Sequence, residues 1–90
     1  LGPDPFGVDP NYWWESVHAS GRNLKALLLD QSLVAGVGNI YADESCFRAR
    51  LDPRRRADSL TKVEAERLRI AVEEILTVAI VSRGSTIRNY

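Results

Sequence analysis

Lys25, Gly36, Gly38 and Asn39 are the residues of this 90-residue chain whose types and spacing fit one piece of chemistry, the gripping of a phosphate. They fall in or beside the stretch LLLDQSLVAGVGNIYADE, which places a glycine-punctuated turn between two apolar helical stripes. Glycine adopts φ > 0 without penalty, so Gly36 and Gly38 allow the chain to reverse tightly and let a ligand approach bare backbone. Asn39 follows at or beside a helix N-terminus, where unpaired N–H groups and a partial positive charge suit an anion. A lysine on the preceding helix adds charge to these hydrogen bonds, so Lys25, Asn39 and the N–H groups after Gly38 together form a clamp for a nucleic-acid backbone phosphate. The same residues also fit a plain interhelical turn with a solvated lysine, and residue types alone leave both readings open.

Other chemistry is less well supplied. Asp43 and Glu44 are adjacent, so on a helix their side chains diverge by about 100° and do not form a paired-carboxylate site. His18 has no carboxylate or nucleophile visibly paired with it. Cys46 is the one cysteine. It rules out an internal disulfide, and with His18 it gives too few ligands for zinc. The sequence thus offers no catalytic residue, no metal site and no cofactor site, and Cys46 reads as a small buried apolar residue.

Composition sets the scale. With 44% apolar residues the chain makes one small domain, and its formal net charge is zero. Charge is unevenly spread, because Arg48, Arg50, Arg54, Arg55 and Arg56 fall together with a single acid, Asp52, among them. Such a run is most often a solvated surface, with direct contact to nucleic acid as the lesser alternative. No apolar run reaches the ~18 residues of a membrane span, and the Asp/Pro-rich start lacks the features of a signal peptide, so a soluble intracellular chain is expected. Leu1-Gly2-Pro3-Asp4-Pro5, with no initiator Met, reads as the start of a fragment cut from a longer protein.

The elements that must hold the clamp are helices. Residues 1–9 read as an extended connector, ending where Asp9 caps a helix that holds Pro10 in its first turn. Tyr12, Trp13, Trp14 and Val17 then supply apolar area for a core rather than platforms for base stacking. After Ser20-Gly21 a second helix spans about 22–30, with Leu24, Leu27 and Leu28 on one face and Lys25 off it. A third spans about 39–50, with Ile40, Phe47 and Leu51 on an apolar face widened by Ala42, Cys46 and Ala49. Asp52-Pro53 ends it. Thr61-Lys62-Val63-Glu64 is a capping box that opens the longest helix, a brace of roughly 30 Å running to about Ser82 and closed by Arg83 and Gly84. The expected fold class is all-α, a small helical domain over 10–84 with a polar tail over 85–90.

At these residues the chain resembles a known family. LLLDQSLVAGVGNIYADE, followed by Phe47 and by Asp52-Pro53-x-Arg55, is similar to the helix-two-turns-helix region of bacterial formamidopyrimidine-DNA glycosylases, and Leu1-Gly2-Pro3-Asp4-Pro5 is similar to the segment that opens it. The resemblance runs nearly end to end. It implies a helix-two-turns-helix DNA-binding motif within a bacterial, cytoplasmic, monomeric repair enzyme. Such an enzyme excises oxidised purines such as 8-oxoguanine and formamidopyrimidines from double-stranded damaged DNA, then cuts the abasic site by β,δ-elimination, after flipping the base from the stack. By the same resemblance Lys25 and Asn39 bind the backbone around the flipped nucleotide, and Arg22 is counted with them. Residues 84–90 lead toward the loop that contacts the damaged base, which makes Ser85, Thr86 and Arg88 further candidates.

Several family features are not in this sequence. The N-terminal proline nucleophile, the glutamate after it and a lysine of the N-terminal domain have no counterparts here, nor does the C-terminal zinc finger with its structural zinc and DNA-binding arginine. The chain alone is therefore expected to be catalytically inert. Arg83 stands where the family often has glycine, and Gly21 stands in a stretch that is basic in many relatives. Alternatives are an endonuclease VIII-type glycosylase for oxidised pyrimidines, a non-catalytic nucleic-acid-binding helical module, and a purely structural helical domain.

Overall fold

Four α-helices and one 3₁₀ turn follow one another along the chain: α1 (Pro10–His18), α2 (Leu24–Leu29), α3 (Asn39–Arg48), the 3₁₀ turn Ala57–Ser59 and α4 (Lys62–Arg88). In this computed structural model the described residues are Asp4, 6–30 and 37–88, with side chains described as far as Val81. Among them the only strand-like pairing is an isolated antiparallel bridge between Asn23 and Arg56, so the all-α class holds.

Local side chains set where three helices begin. Asp9 caps α1 by accepting the Asn11 N–H at 3.1 Å, and Pro10 occupies the first helical position, where its missing N–H goes unneeded. Asn23 caps α2 by accepting the Ala26 N–H at 2.8 Å. Before α4 the capping box forms reciprocally: Thr61 Oγ1 accepts the Glu64 N–H at 3.1 Å, and Glu64 Oε1 accepts the Thr61 N–H at 2.9 Å. Glu64 also accepts both terminal nitrogens of Arg55, at 2.8 and 2.9 Å.

The Arg55 guanidinium and the Thr61 N–H hold the Glu64 carboxyl down at about 2, against an ordinary 4.5. A carboxyl depressed in the folded state adds stability that is present above its unfolded value and lost as the pH falls through the folded one. Melting temperatures measured between these two values should fall with pH. Glu64→Gln should flatten that decline, whereas a decline as steep as in the parent would show that the pair does not couple to folding.

The core lies where α4 crosses the other helices. Trp13, Val17, Leu24, Leu28, Ala42, Cys46 and Leu68 are all buried in one cluster. The Trp13 indole N–H, which could not be buried unpaired, donates to the Ala65 carbonyl of α4 at 2.8 Å. Arg67 of α4 donates to the Ala49 carbonyl at the end of α3 at 2.7 Å, and Arg48 pairs with Glu74 at 3.0 Å. At that end Arg50 takes φ 61°, the Leu51 N–H returns to the Cys46 carbonyl and the Arg50 N–H to the Phe47 carbonyl. This is a Schellman stop built on arginine instead of glycine.

Two expectations are corrected. The buried face of α3 is not the Ile40–Phe47 stripe: Ile40 is 68% and Phe47 86% exposed, while Ala42, Ser45, Cys46 and Ala49 are buried. Small residues at helical spacing let α3 sit close to its neighbours, and the larger apolar residues are turned outward. Nor does the brace helix stop near Gly84, since α4 continues to Arg88. Glycine lowers helix propensity without forcing a stop, because only a positive φ makes it a C-cap. At 27 residues the helix is about 40 Å long and accounts for the 45 Å long axis of the chain.

Candidate nucleic-acid interface

Two helix N-termini face different fates here. In α2 every early N–H is taken within the chain: Leu24 donates to the Arg55 carbonyl at 2.9 Å, Lys25 to the Pro53 carbonyl at 3.0 Å, and Ala26 to Asn23 Oδ1. The loop over 53–58 is thus docked onto the start of α2, with the Ala57 N–H donating to the Arg22 carbonyl at 2.8 Å and the Asp58 N–H to Ser20 at 2.9 Å. That end of α2 has no donor left for an anion. The loop fixes the helix that carries Lys25.

The arginines of that loop are spent inside the chain as well. Arg54 pairs with Asp52 at 2.9 Å, Arg55 with Glu64 at 2.8 Å and Arg56 with Asp58 at 2.8 Å. Hydrogen bonds from Arg54 and Arg56 hold the Asp52 and Asp58 carboxyls below the usual carboxylate range. A row of neutralised pairs gives a solvated face and little net field for a phosphate. Arg50 makes no ion pair among the described residues. A Cβ at Gly21 would lie 2.8 Å from the Arg56 guanidinium, the far end of an exposed side chain that can swing aside.

The N-terminus of α3 is open. Gly38 is its N-cap, with φ −93° and ψ 174° and no side-chain cap, and among the described residues nothing accepts the N–H groups of Asn39 or Ile40. The expectation of positive φ at Gly38 is therefore corrected, since any residue adopts this backbone. Among the described residues a Cβ there would meet only Tyr41 Cδ2, at 4.0 Å. What glycine contributes is bare backbone on the rim of a shallow cleft of about 420 Å³, lined by Gly38, Asn39, Ile40 and Tyr41. Gly36 lies outside the described residues.

Lys25 does not stand free in solvent. Its Nζ lies 3.1 Å from Asp43 Oδ2, with the two side chains 37% and 47% exposed. Asp43 is four residues after Asn39 and so shares its face of α3. The fold thereby ties Lys25 of α2 to the α3 face that begins with Asn39, although among the described residues no hydrogen bond joins the two. Arg22 pairs instead with Asp30 at 2.9 Å, at the far end of α2. Ser85, Thr86 and Arg88 lie on the last turns of α4, and their side chains are outside the described residues.

Other candidates resolve into packing. Cys46 is buried, and burial first, then the Asp43 and Asp52 carboxylates, push its thiol up to about 11. His18 stacks on Trp14 with ring centroids 4.8 Å apart. Among the described residues no group of His, Cys, Asp or Glu could hold a metal ion, and no helix is long and apolar enough to cross a membrane. Sequence reasoning missed Asp43 as a partner of Lys25, although its spacing from Asn39 was a usable signal. It also missed the loop carbonyls that close α2, for which a sequence gives no local sign.

The family model described as the formamidopyrimidine-DNA glycosylase H2TH domain matches residues 1–90. The chain is 48% identical over 92 residues to the formamidopyrimidine-DNA glycosylase of Thermomicrobium roseum, covering 100% of this chain and 32% of that protein. It is 53% identical over 90 residues to that of Thermus thermophilus, covering 97% and 33%. The chain thus spans about a third of the length of these curated relatives. Among solved structures, the MutM (Fpg) protein of Thermus thermophilus superposes with a TM-score of 0.85 at 54% identity, over 89% of this chain and 31% of that one. The Lactococcus lactis enzyme bound non-covalently to DNA containing an AP site does so with 0.85 at 35%, over 89% and 32%. With that family model matching the whole chain and with relatives 48% and 53% identical along its length, this chain is a member of the formamidopyrimidine-DNA glycosylase H2TH domain family.

Proposed function

We propose that this chain is the DNA-backbone-binding helical domain of a longer base-excision glycosylase and AP lyase acting on oxidised purines in duplex DNA. In this reading Lys25, Asn39 and the N–H groups that follow Gly38 grip a phosphate beside the flipped nucleotide. The observation that carries the reading is the contrast between the two helix starts: α2 is closed by loop carbonyls, while among the described residues nothing accepts the Asn39 and Ile40 N–H groups at the start of α3, where Asn39 is exposed. Relatives solved with abasic-site DNA support the choice of ligand. Arg22, Ser85, Thr86 and Arg88 are secondary contacts. Base removal and strand cleavage belong to other parts of the longer polypeptide, as does the structural zinc, for which this chain supplies no ligand set. The enzyme would act as a monomer on DNA in the bacterial cytoplasm.

The test is a titration of the chain with a short duplex carrying an abasic-site analogue, with binding read at several salt concentrations. Lys25→Ala and Asn39→Ala should each weaken binding about tenfold, alike for all sequences, and loss of the lysine should flatten the salt slope by about one phosphate contact. Melting temperatures should stay near the parent's, since both side chains lie at the surface. Unchanged affinity in both variants would sink the clamp.

A further inference from the structure

Asp43 is not needed by the fold in any way the packing reveals. Its side chain is 47% exposed, and it accepts a hydrogen bond from Lys25 Nζ at 3.1 Å, a lysine itself 37% exposed. An exposed pair of this kind adds little to stability. Its position carries more meaning. Asp43 lies one helical turn behind Asn39 on the face where the clamp opens, and a carboxylate presents to an ammonium the same kind of oxyanion that a phosphate does.

We propose that Asp43 is a specificity-determining residue of the clamp, an internal stand-in for the phosphate that occupies Lys25 until DNA displaces it. This inference rests on the clamp reading of Lys25 and Asn39. A backbone phosphate approaching Lys25 meets the Asp43 carboxylate at close range and must outbid it. Weakly seated backbone, as on undamaged duplex passing over the site, gains little from Lys25. A phosphate that also reaches Asn39 and the α3 N–H groups has enough further bonds to take the lysine over. Asp43 thus lowers affinity for all DNA, and most for DNA that engages Lys25 alone.

The consequence is a variant that binds better. By fluorescence anisotropy with a labelled undamaged duplex, Asp43→Asn should bind roughly 3- to 10-fold more tightly at low salt, with the gain shrinking as salt screens the charges. With the abasic-analogue duplex the gain should be smaller. Glu44→Gln removes the same charge from an exposed neighbour that makes no ion pair among the described residues, and should change affinity less than about twofold. In a Lys25→Ala background Asp43→Asn should give no gain. Weaker or unchanged binding by Asp43→Asn overturns the proposal, as does an equal gain from Glu44→Gln. If Lys25→Ala alone leaves affinity untouched, the clamp reading itself fails. If Lys25→Ala weakens binding while Asp43→Asn does not tighten it, the clamp stands and only the role of Asp43 falls.

Discussion

Gly38→Asp is expected to lower DNA affinity by about two orders of magnitude while leaving the fold as stable as before, or slightly more so. The backbone of Gly38 already has the extended geometry of an N-cap, and among the described residues a Cβ would meet only Tyr41 Cδ2, at 4.0 Å. Aspartate at such a position accepts a first-turn N–H and complements the helix dipole, worth a few tenths of a kcal/mol over glycine. The same carboxylate would occupy the donors and the space that the phosphate needs. A fixed negative charge about 5 Å from a phosphate costs about 3 kcal/mol at an effective dielectric near 20, which is roughly a hundredfold in affinity. Paired measurements of melting temperature and anisotropy separate the two effects. Gly38→Ser should fall between, since its hydroxyl competes for the N–H groups without adding charge. If Gly38→Asp bound DNA like the parent, the start of α3 would not be a contact surface.

Trp13→Ala should cost about 3–5 kcal/mol, a large share of the roughly 5–13 kcal/mol available to a domain of this size. Trp13 is 1% exposed, and its indole N–H reaches across to the Ala65 carbonyl. Truncation leaves a void at the α1–α4 contact. Trp13→Phe keeps most of the volume and loses the hydrogen bond, so its cost should be nearer 1–3 kcal/mol. Trp14, half-buried and stacked on His18, should tolerate alanine far better. Urea unfolding of the three variants measures the order directly. Loss of DNA binding by Trp13→Ala with full stability would instead favour a base-stacking role, which its burial argues against.

How much of this was legible in the sequence depended on the range of the interaction. Asp9 and the Thr61–Glu64 box were legible because a cap is written within four residues. The all-α class and the inward face of α2 followed from helical spacing of large apolar residues. For α3 the same rule pointed the wrong way, because it carries two stripes and the smaller side chains won the core by allowing closer approach. Gly84 misled because a glycine marks a stop only where the backbone turns left-handed. At the candidate site, Lys25 and Asn39 were legible as types at the right places. The partner of Lys25 was not, and neither was Glu64 as the acid that takes Arg55, since these pairings required the fold, whereas Asp52 and Asp58 lie only two residues from the arginines they neutralise.

The bonds from Leu24 and Lys25 to the carbonyls of Arg55 and Pro53 bear on when the site comes into being. A helix of six residues does not persist alone in water, so α2 is held by a segment that lies some thirty positions further along the chain. Closing that loop costs chain entropy that a local helix does not, so α2 forms together with its partner loop rather than ahead of it. The lysine is therefore held at its post only while that loop is docked, and a chain in which this pairing is open carries every residue of the clamp while lacking its grip.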